Sequence, residues 1–398
     1  MNTSARHIPV SQPVIGDLEI EYVTDALRRI TARCWHTAPT CASGTSPRRP
    51  GAISGFCGDY LTRFESEFAA YCGAACGVAT SSGTTALHLA LAALSIGPGD
   101  EVLVSTLTNM ASVFAVLYQG ATPVPIDIES ETWNLDATLL DRHVTPRTKA
   151  ILVVHLFGHP VDMDPVLDVA RRHRLKVIED CAEAHGAMYR GRRVGGLGDV
   201  GCFSFYANKI ITTGEGGMLT TNDRDLAERA TSLKNLAFGP TNRFMHTAVG
   251  FNYRMTNLQA AVGCAQMRSI DTVIEKKRRM ARWYTERLAD IRCLQLPVER
   301  AYARSVYWMY HVGLAGDMAE QRDAVRSRLA AAGVETREGF IPANLQHVFQ
   351  RQGWARADSC PRANLAARST FYLPSGPSLS EDEVEYVSAS LKDVLQAV

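Results

Sequence analysis

Lys209 lies in the run Cys202-Phe-Ser-Phe-Tyr-Ala-Asn-Lys-Ile-Ile-Thr-Thr-Gly-Glu-Gly-Gly217. Its neighbours Phe203, Phe205, Tyr206, Ile210 and Ile211 read as buried strand, a costly place for an unpaired ammonium. Desolvation favours the neutral amine, which can attack a carbonyl carbon. The ordinary alternative is a lysine at a strand end whose stem covers apolar surface while its head reaches water. The upstream run Val177-Ile178-Glu179-Asp180, an apolar strand ending in carboxylates, weighs against that alternative. A Schiff-base lysine and an aspartate for a pyridinium nitrogen are the pair that pyridoxal phosphate (PLP) chemistry needs.

Three further segments have types that suit a ligand. Ser82-Gly83-Thr84-Thr85 follows an expected strand and opens a helix, where free N–H groups suit a phosphate. A plain Ser/Thr cap accounts for the same residues. Gly214-Glu215-Gly216-Gly217 lets backbone pass close to a ligand or closes a tight hairpin. Gly250-Phe-Asn252-Tyr-Arg254-Met255 sets polar side chains among aromatics ahead of a helix, and a capped helix start explains it equally well. Gly196-Leu-Gly198-Asp-Val-Gly201 satisfies GxGxxG, but that fingerprint requires a strand before and a helix after. Here a strand-like aromatic run follows, so a dinucleotide site is rejected.

The elements that must position these residues alternate strand and helix from about residue 60 to 270. This predicts an α/β domain with a mostly parallel sheet, whose ligands sit at the carboxyl ends of its strands. Ser81-Ser82-Gly83, His155 and Asp180 fall at such ends. Thr256 to about Leu288 reads as one long helix leading out of that domain. Beyond residue 290, a strand at Ser305–His311 and helices at Asp323–Ala332 and Glu381–Leu395 suggest a smaller α/β domain. Cys34–Gly55, rich in Ser, Thr, Pro, Gly and Arg, reads as a long loop. The expected division is therefore 1–58 (N-terminal helix and atypical loop), 59–275 (large PLP-binding domain) and 276–398 (small C-terminal domain).

A formal net charge of +1 on 398 residues gives no field to attract nucleic acid or a membrane surface. The ten cysteines are scattered without a CxxC pair, so reduced thiols and no metal site are expected. Neither a signal-peptide core nor a bilayer-spanning run is present, and a cytoplasmic enzyme is expected.

Together these segments resemble the DegT/DnrJ/EryC1/StrS family of PLP-dependent sugar aminotransferases, from about Pro9 to Leu391. The most specific stretches are Glu179–Ala187, Gly201–Met218, Phe244–His246 and Asn252–Ala261. Within the family, Glu183, the Thr-Thr-Gly-Glu-Gly-Gly run and Val306–Tyr310 are most similar to the subgroup of GDP-perosamine synthases. The resemblance implies a fold-type-I (aspartate aminotransferase-like) enzyme in which Lys209 forms the Schiff base and shuttles the proton. Asp180 holds the pyridine nitrogen, while Gly83, Thr84 and Ser204 bind the phosphate with Asn252 of a second subunit. Glu183 lies near the ring hydroxyl, and Asn109 replaces an aromatic that stacks on the ring in many relatives. His185 and Arg337 are implied at the substrate. The implied partners are L-glutamate, a nucleotide-linked ketosugar (GDP-linked, either a 6-deoxysugar or a larger GDP-octose) and a second copy in a homodimer with shared sites. A PLP-dependent sugar dehydratase typically carries histidine in place of Lys209, and a non-catalytic PLP-binding protein would lack Lys209 or Asp180.

Overall fold

Short runs of Val, Ile, Leu and Ala, each closed by a glycine, proline or polar turn, build a seven-stranded sheet in the computed structural model, which describes residues 7–30, 58–239, 242, 244–246 and 248–397. The strands are β1 (Cys76–Thr80), β2 (Glu101–Ser105), β3 (Thr122–Ile126), β4 (Thr148–Val154), β5 (Lys176–Asp180), β6 (Val200–Ser204) and β7 (Gly217–Thr221). Their order is β1-β7-β6-β5-β4-β2-β3, and β7 alone pairs antiparallel to both of its neighbours. The expected alternation with helices is present: α1 (Asp17–Ile30), α2 (Asp59–Cys72), α3 (Gly83–Ala93), α4 (Met110–Tyr118), α5 (Met163–His173), α6 (Arg224–Lys234), α7 (Asn257–Gln266) and α8 (Ile270–Leu288). Buried on both faces, β2, β4 and β5 are nearly continuous apolar runs, as parallel strands under helices must be. The stretch Cys34–Gly55 falls outside the described residues.

A second, four-stranded antiparallel sheet comprises β8 (Leu294–Gln295), β9 (Tyr310–Leu314), β10 (Arg337–Glu338) and β11 (Thr370–Leu373), in the order β8-β9-β11-β10. Tyr284 and Leu288 of α8 pack with Tyr310, Phe371 and Leu391 in its core. The two sheets are tied where the site lies. Asp127, just after β3, accepts the Arg362 and Ala363 N–H groups at 3.1 and 2.9 Å, and Ala343 N–H donates to the Thr106 carbonyl.

Three expectations need correcting. The single helix over Thr256–Leu288 is two, broken at Met267–Ser269, with Thr256 and Gln259 forming a capping box on the first. The strand expected at Ser305–His311 begins only at Tyr310, because Tyr307 adopts a left-handed φ of 46°. Lys209 is not on a strand: β6 ends at Ser204, Tyr206 is exposed, and Lys209 sits in the loop that returns to β7.

Glu179 shows what the rejected glycine run does. Successive residues of β5 point to opposite faces, so Glu179 turns away from Asp180. Its fully buried carboxylate accepts N–H groups of Gly195, Leu197 and Gly198 at 2.8–2.9 Å and meets His155 Nε2 at 3.1 Å. The Val161 N–H donates to His155 Nδ1, which leaves Nε2 as the donor to Glu179. Burial alone raises the Glu179 pKa, but His155 and these N–H groups outweigh it and hold it low. A Cβ at position 198 would lie 2.7 Å from the Val177 carbonyl, so glycine lets the loop wrap the strand. His155, Glu179 and Cys181 also bring possible metal-ligand atoms within 4.8 Å, but the His155 and Glu179 atoms are spent on these hydrogen bonds. Replacing Glu179 with Ala strands several buried donors and should cost roughly 3–5 kcal/mol in urea unfolding. A loss under about 1 kcal/mol would show that the loop is held by other means.

Candidate active site

Asp180 ends β5 and is buried. Its Oδ2 accepts the Ser112 hydroxyl at 2.6 Å, and its Oδ1 accepts the Ala182 N–H at 3.0 Å. Burial pushes the carboxyl upward, and the Ser112 and Ala182 donors with the Lys209 charge only partly restrain it. A buried carboxyl left in that state suits one more N–H donor bearing positive charge.

Three residues along, a tight turn places Glu183 in the same cluster. Its Oε2 accepts the N–H of Phe157 at 2.8 Å. Phe157 adopts a left-handed φ of 53°, rare for an aromatic residue, and that turn aims its N–H at the carboxyl. Desolvation lifts the Glu183 pKa to about 7, with Lys209 opposing.

Lys209 completes the group. Desolvation lowers its pKa, while the Glu183 and Asp180 charges pull the other way. Its Nζ lies 4.0 Å from the centre of the Trp308 ring, whose Nε1 donates to the Asn208 carbonyl at 2.9 Å.

Beside this cluster is the start of α3. Ser82 and Thr85 form a capping box, while the first helical N–H groups, at Gly83 and Thr84, have no intrahelical acceptor. A Cβ at position 83 would lie 2.7 Å from the Cβ of Ser204, at the end of β6. Only glycine leaves this corner open between two N–H donors and a serine, a cradle for an anion. The glycine turn beyond Lys209 serves backbone contact: Gly214 has a φ of +78°, and a Cβ at 217 would strike the Ser82 carbonyl at 2.2 Å.

The other expected residues lie further out. Asn109 is exposed and caps α4 by accepting the Ala111 N–H, one turn before Ser112. Asn252 is exposed and bridges Asn235. Arg337 is exposed on β10 and paired in register with Tyr372, whose ionisation feels both Glu183 and Arg337. His185 does not reach the surface of the cleft: it is fully buried among Phe68, Phe203 and Phe205, and its pKa falls to about 3. A small pocket at the boundary of the two sheets, bounded by Trp133, Phe157, Tyr307 and His311, adjoins the cluster through Phe157. The sequence alone does not place Ser112 or Trp308 at the site. Ser112 has no motif of its own, and Trp308 stood only as part of the Val306–Tyr310 likeness.

The sequence profile of the DegT/DnrJ/EryC1/StrS aminotransferase family matches residues 51–392. The chain belongs to this family. Within it, the chain is 47% identical over 339 residues to a GDP-perosamine synthase of Caulobacter vibrioides, covering 85% of this chain and 91% of that protein. It is 38% identical over 388 residues to the GDP-perosamine synthase of Escherichia coli O157:H7, with 98% of each covered. The crystal structure of S. venezuelae DesV in complex with a ketimine intermediate superposes with a TM-score of 0.84 at 35% identity, covering 99% of this chain and all of that one. The fold is that of the type I PLP enzymes, and the family member described here is a PLP-dependent sugar aminotransferase. Among the described residues, no helix is long and apolar enough to cross a membrane.

The Glu183 value of about 7 has a definite sign. It lies above the unfolded carboxyl, so the folded chain holds the extra proton between the two values. That stabilisation is complete below the unfolded value and is lost as pH rises through about 7. In cofactor-free protein, Glu183→Gln should remove about 3 kcal/mol of the stability that wild type loses between roughly pH 5 and pH 8. Equal slopes in both proteins would show that Glu183 titrates normally.

Proposed function

We propose that this enzyme moves the amino group of L-glutamate onto the keto group of a GDP-linked deoxysugar, as a homodimer with shared sites. The observation that carries the nucleotide assignment is the 47% identity to a GDP-perosamine synthase across 91% of that protein. PLP supplies an electrophilic carbon and an electron sink. The fit to this group rests on the buried Asp180 carboxyl and on the Gly83–Ser204 corner that a Cβ would close.

In this reading Asp180 holds the proton on the ring nitrogen, and Ser112 fixes the carboxylate that does so. The Gly83 and Thr84 N–H groups and the Ser204 hydroxyl hold the phosphate, joined by Asn252 from the second copy. Lys209 anchors the cofactor and then moves the proton between donor and acceptor carbons. Glu183, near 7, can keep or yield a proton beside the ring oxygen. Asn109 flanks the ring at the start of α4, and Arg337 offers a guanidinium to a carboxylate or phosphate of the substrate. His185, enclosed by aromatic rings, presents no exposed face to the substrate.

Each half of the reaction can be tested separately. The enzyme is loaded with amine from L-glutamate, freed of donor and offered GDP-, UDP- and dTDP-linked ketosugars, with the product read by mass spectrometry. Amination of GDP-4-keto-6-deoxymannose is the expected result. Transfer only to UDP- or dTDP-linked sugars would overturn the nucleotide assignment, and failure to take up amine would overturn the donor.

A further inference from the structure

Lys209 has a neighbour whose position the roles above do not explain. The Trp308 ring is 3% exposed and lies 4.0 Å from Lys209 Nζ. It is held from two directions. Its Nε1–H donates to the carbonyl of Asn208, the residue before Lys209, at 2.9 Å. Its own carbonyl accepts from Lys277 Nζ at 2.8 Å, and Lys277, itself 2% exposed, also donates to the Ser375 carbonyl at 2.7 Å. Lys277 has thus tied α8, the Trp308 loop and the segment after β11 into one joint. The indole is therefore a fixed wall, carried by the loop that leads into β9.

We propose that Trp308 is a catalytic residue whose indole face holds the Lys209 amino group at the reacting carbon while that amine is not bonded to the cofactor. The proposal rests on the transaminase reading above. In the first half-reaction the donor's Cα–H bond breaks, its proton bonds to the Nζ lone pair, and the C–H electron pair stays with the carbon framework. The same proton then leaves Nζ for the cofactor carbon that has received the nitrogen. Between those events Nζ is an ammonium on a side chain with four rotatable bonds. An aromatic face attracts an ammonium, most strongly for indole and more so out of water, and has little preference for the neutral amine. The wall therefore favours the transient state and keeps it aimed, which shortens the search for the second carbon.

The test uses PLP-loaded wild type, Trp308→Phe and Trp308→Leu. Rapid mixing follows the first half-reaction with ordinary L-glutamate and with L-glutamate deuterated at Cα, and a separate titration reads cofactor affinity. The expected result is a loss of about tenfold to thirtyfold in Trp308→Leu and a smaller loss in Trp308→Phe, which keeps a weaker aromatic face. The isotope effect should rise as proton transfer becomes slower, with cofactor affinity unchanged. Equal rates and an unchanged isotope effect in Trp308→Leu would overturn the proposal. So would equal losses in both variants without a change in isotope effect, because the ring would then only fill space. Should Trp308→Leu fail to fold, Trp308→Phe decides alone: a slower rate with a larger isotope effect supports the role, and a wild-type isotope effect refutes it. A wild type that takes no amine from L-glutamate would instead refute the transaminase donor, a result separable from any effect of Trp308.

Discussion

Three ionisable groups, Lys209, Asp180 and Glu183, are withdrawn from water in one cluster, and that desolvation governs the surrounding structure. Each group is pushed toward its neutral form; Lys209 opposes that push in both carboxyls and they oppose it in Lys209, whereas the Asp180 charge adds to the push on Glu183. Such a cluster is expensive in an empty protein and becomes favourable when a cationic ring nitrogen and an electrophilic carbon share the space. The supporting contacts are correspondingly specific. Ser112 and the Ala182 N–H hold Asp180, a left-handed Phe157 turns its N–H to Glu183, and a fixed indole faces Lys209.

The sheet brings these groups together because parallel strands end on one side. β5 delivers Asp180 and, one turn later, Glu183; β6 delivers Ser204; the turn after β1 delivers the first N–H groups of α3. The same strand carries a second buried carboxylate, Glu179, facing the other way and fully satisfied by backbone donors and His155. Adjacent residues of one strand thus divide the labour. Glu179 fixes the loop before β6, and Asp180, held by Ser112 and the Ala182 N–H, faces the site.

Much of this was legible in the sequence where the signal is local. Asp180 reads as a strand-end carboxylate, Lys209 as a lysine in an apolar run, and Gly83 as a glycine opening a helix after a strand. The rejection of the Gly196–Gly201 run rested on the missing helix, and β6 does follow it. What escaped depends on contacts between distant parts of the chain. Trp308 reaches Lys209 across about a hundred residues, and Ser112 reaches Asp180 across 68. His185 reads as a polar group near the substrate, yet three phenylalanines from α2 and around β6 enclose it, a packing no motif announces. The strand expected around Lys209 failed because apolar residues at a turn bury as well as those on a strand.

Two other lysines, Lys234 and Lys277, are buried, more deeply than the half-buried Lys209, and composition alone does not separate them from it. Lys234 pairs with Glu65 and the Ala79 carbonyl, and Lys277 bonds two carbonyls, so both have their ammonium donors engaged in structure. Lys209 faces a ring and two carboxyls in the corner below α3. The most direct measurement is borohydride reduction of the PLP-loaded protein, followed by peptide mass mapping. A single reduced adduct on Lys209 is the predicted result. An adduct on Lys277 or Lys234, or none on Lys209, would contradict the account.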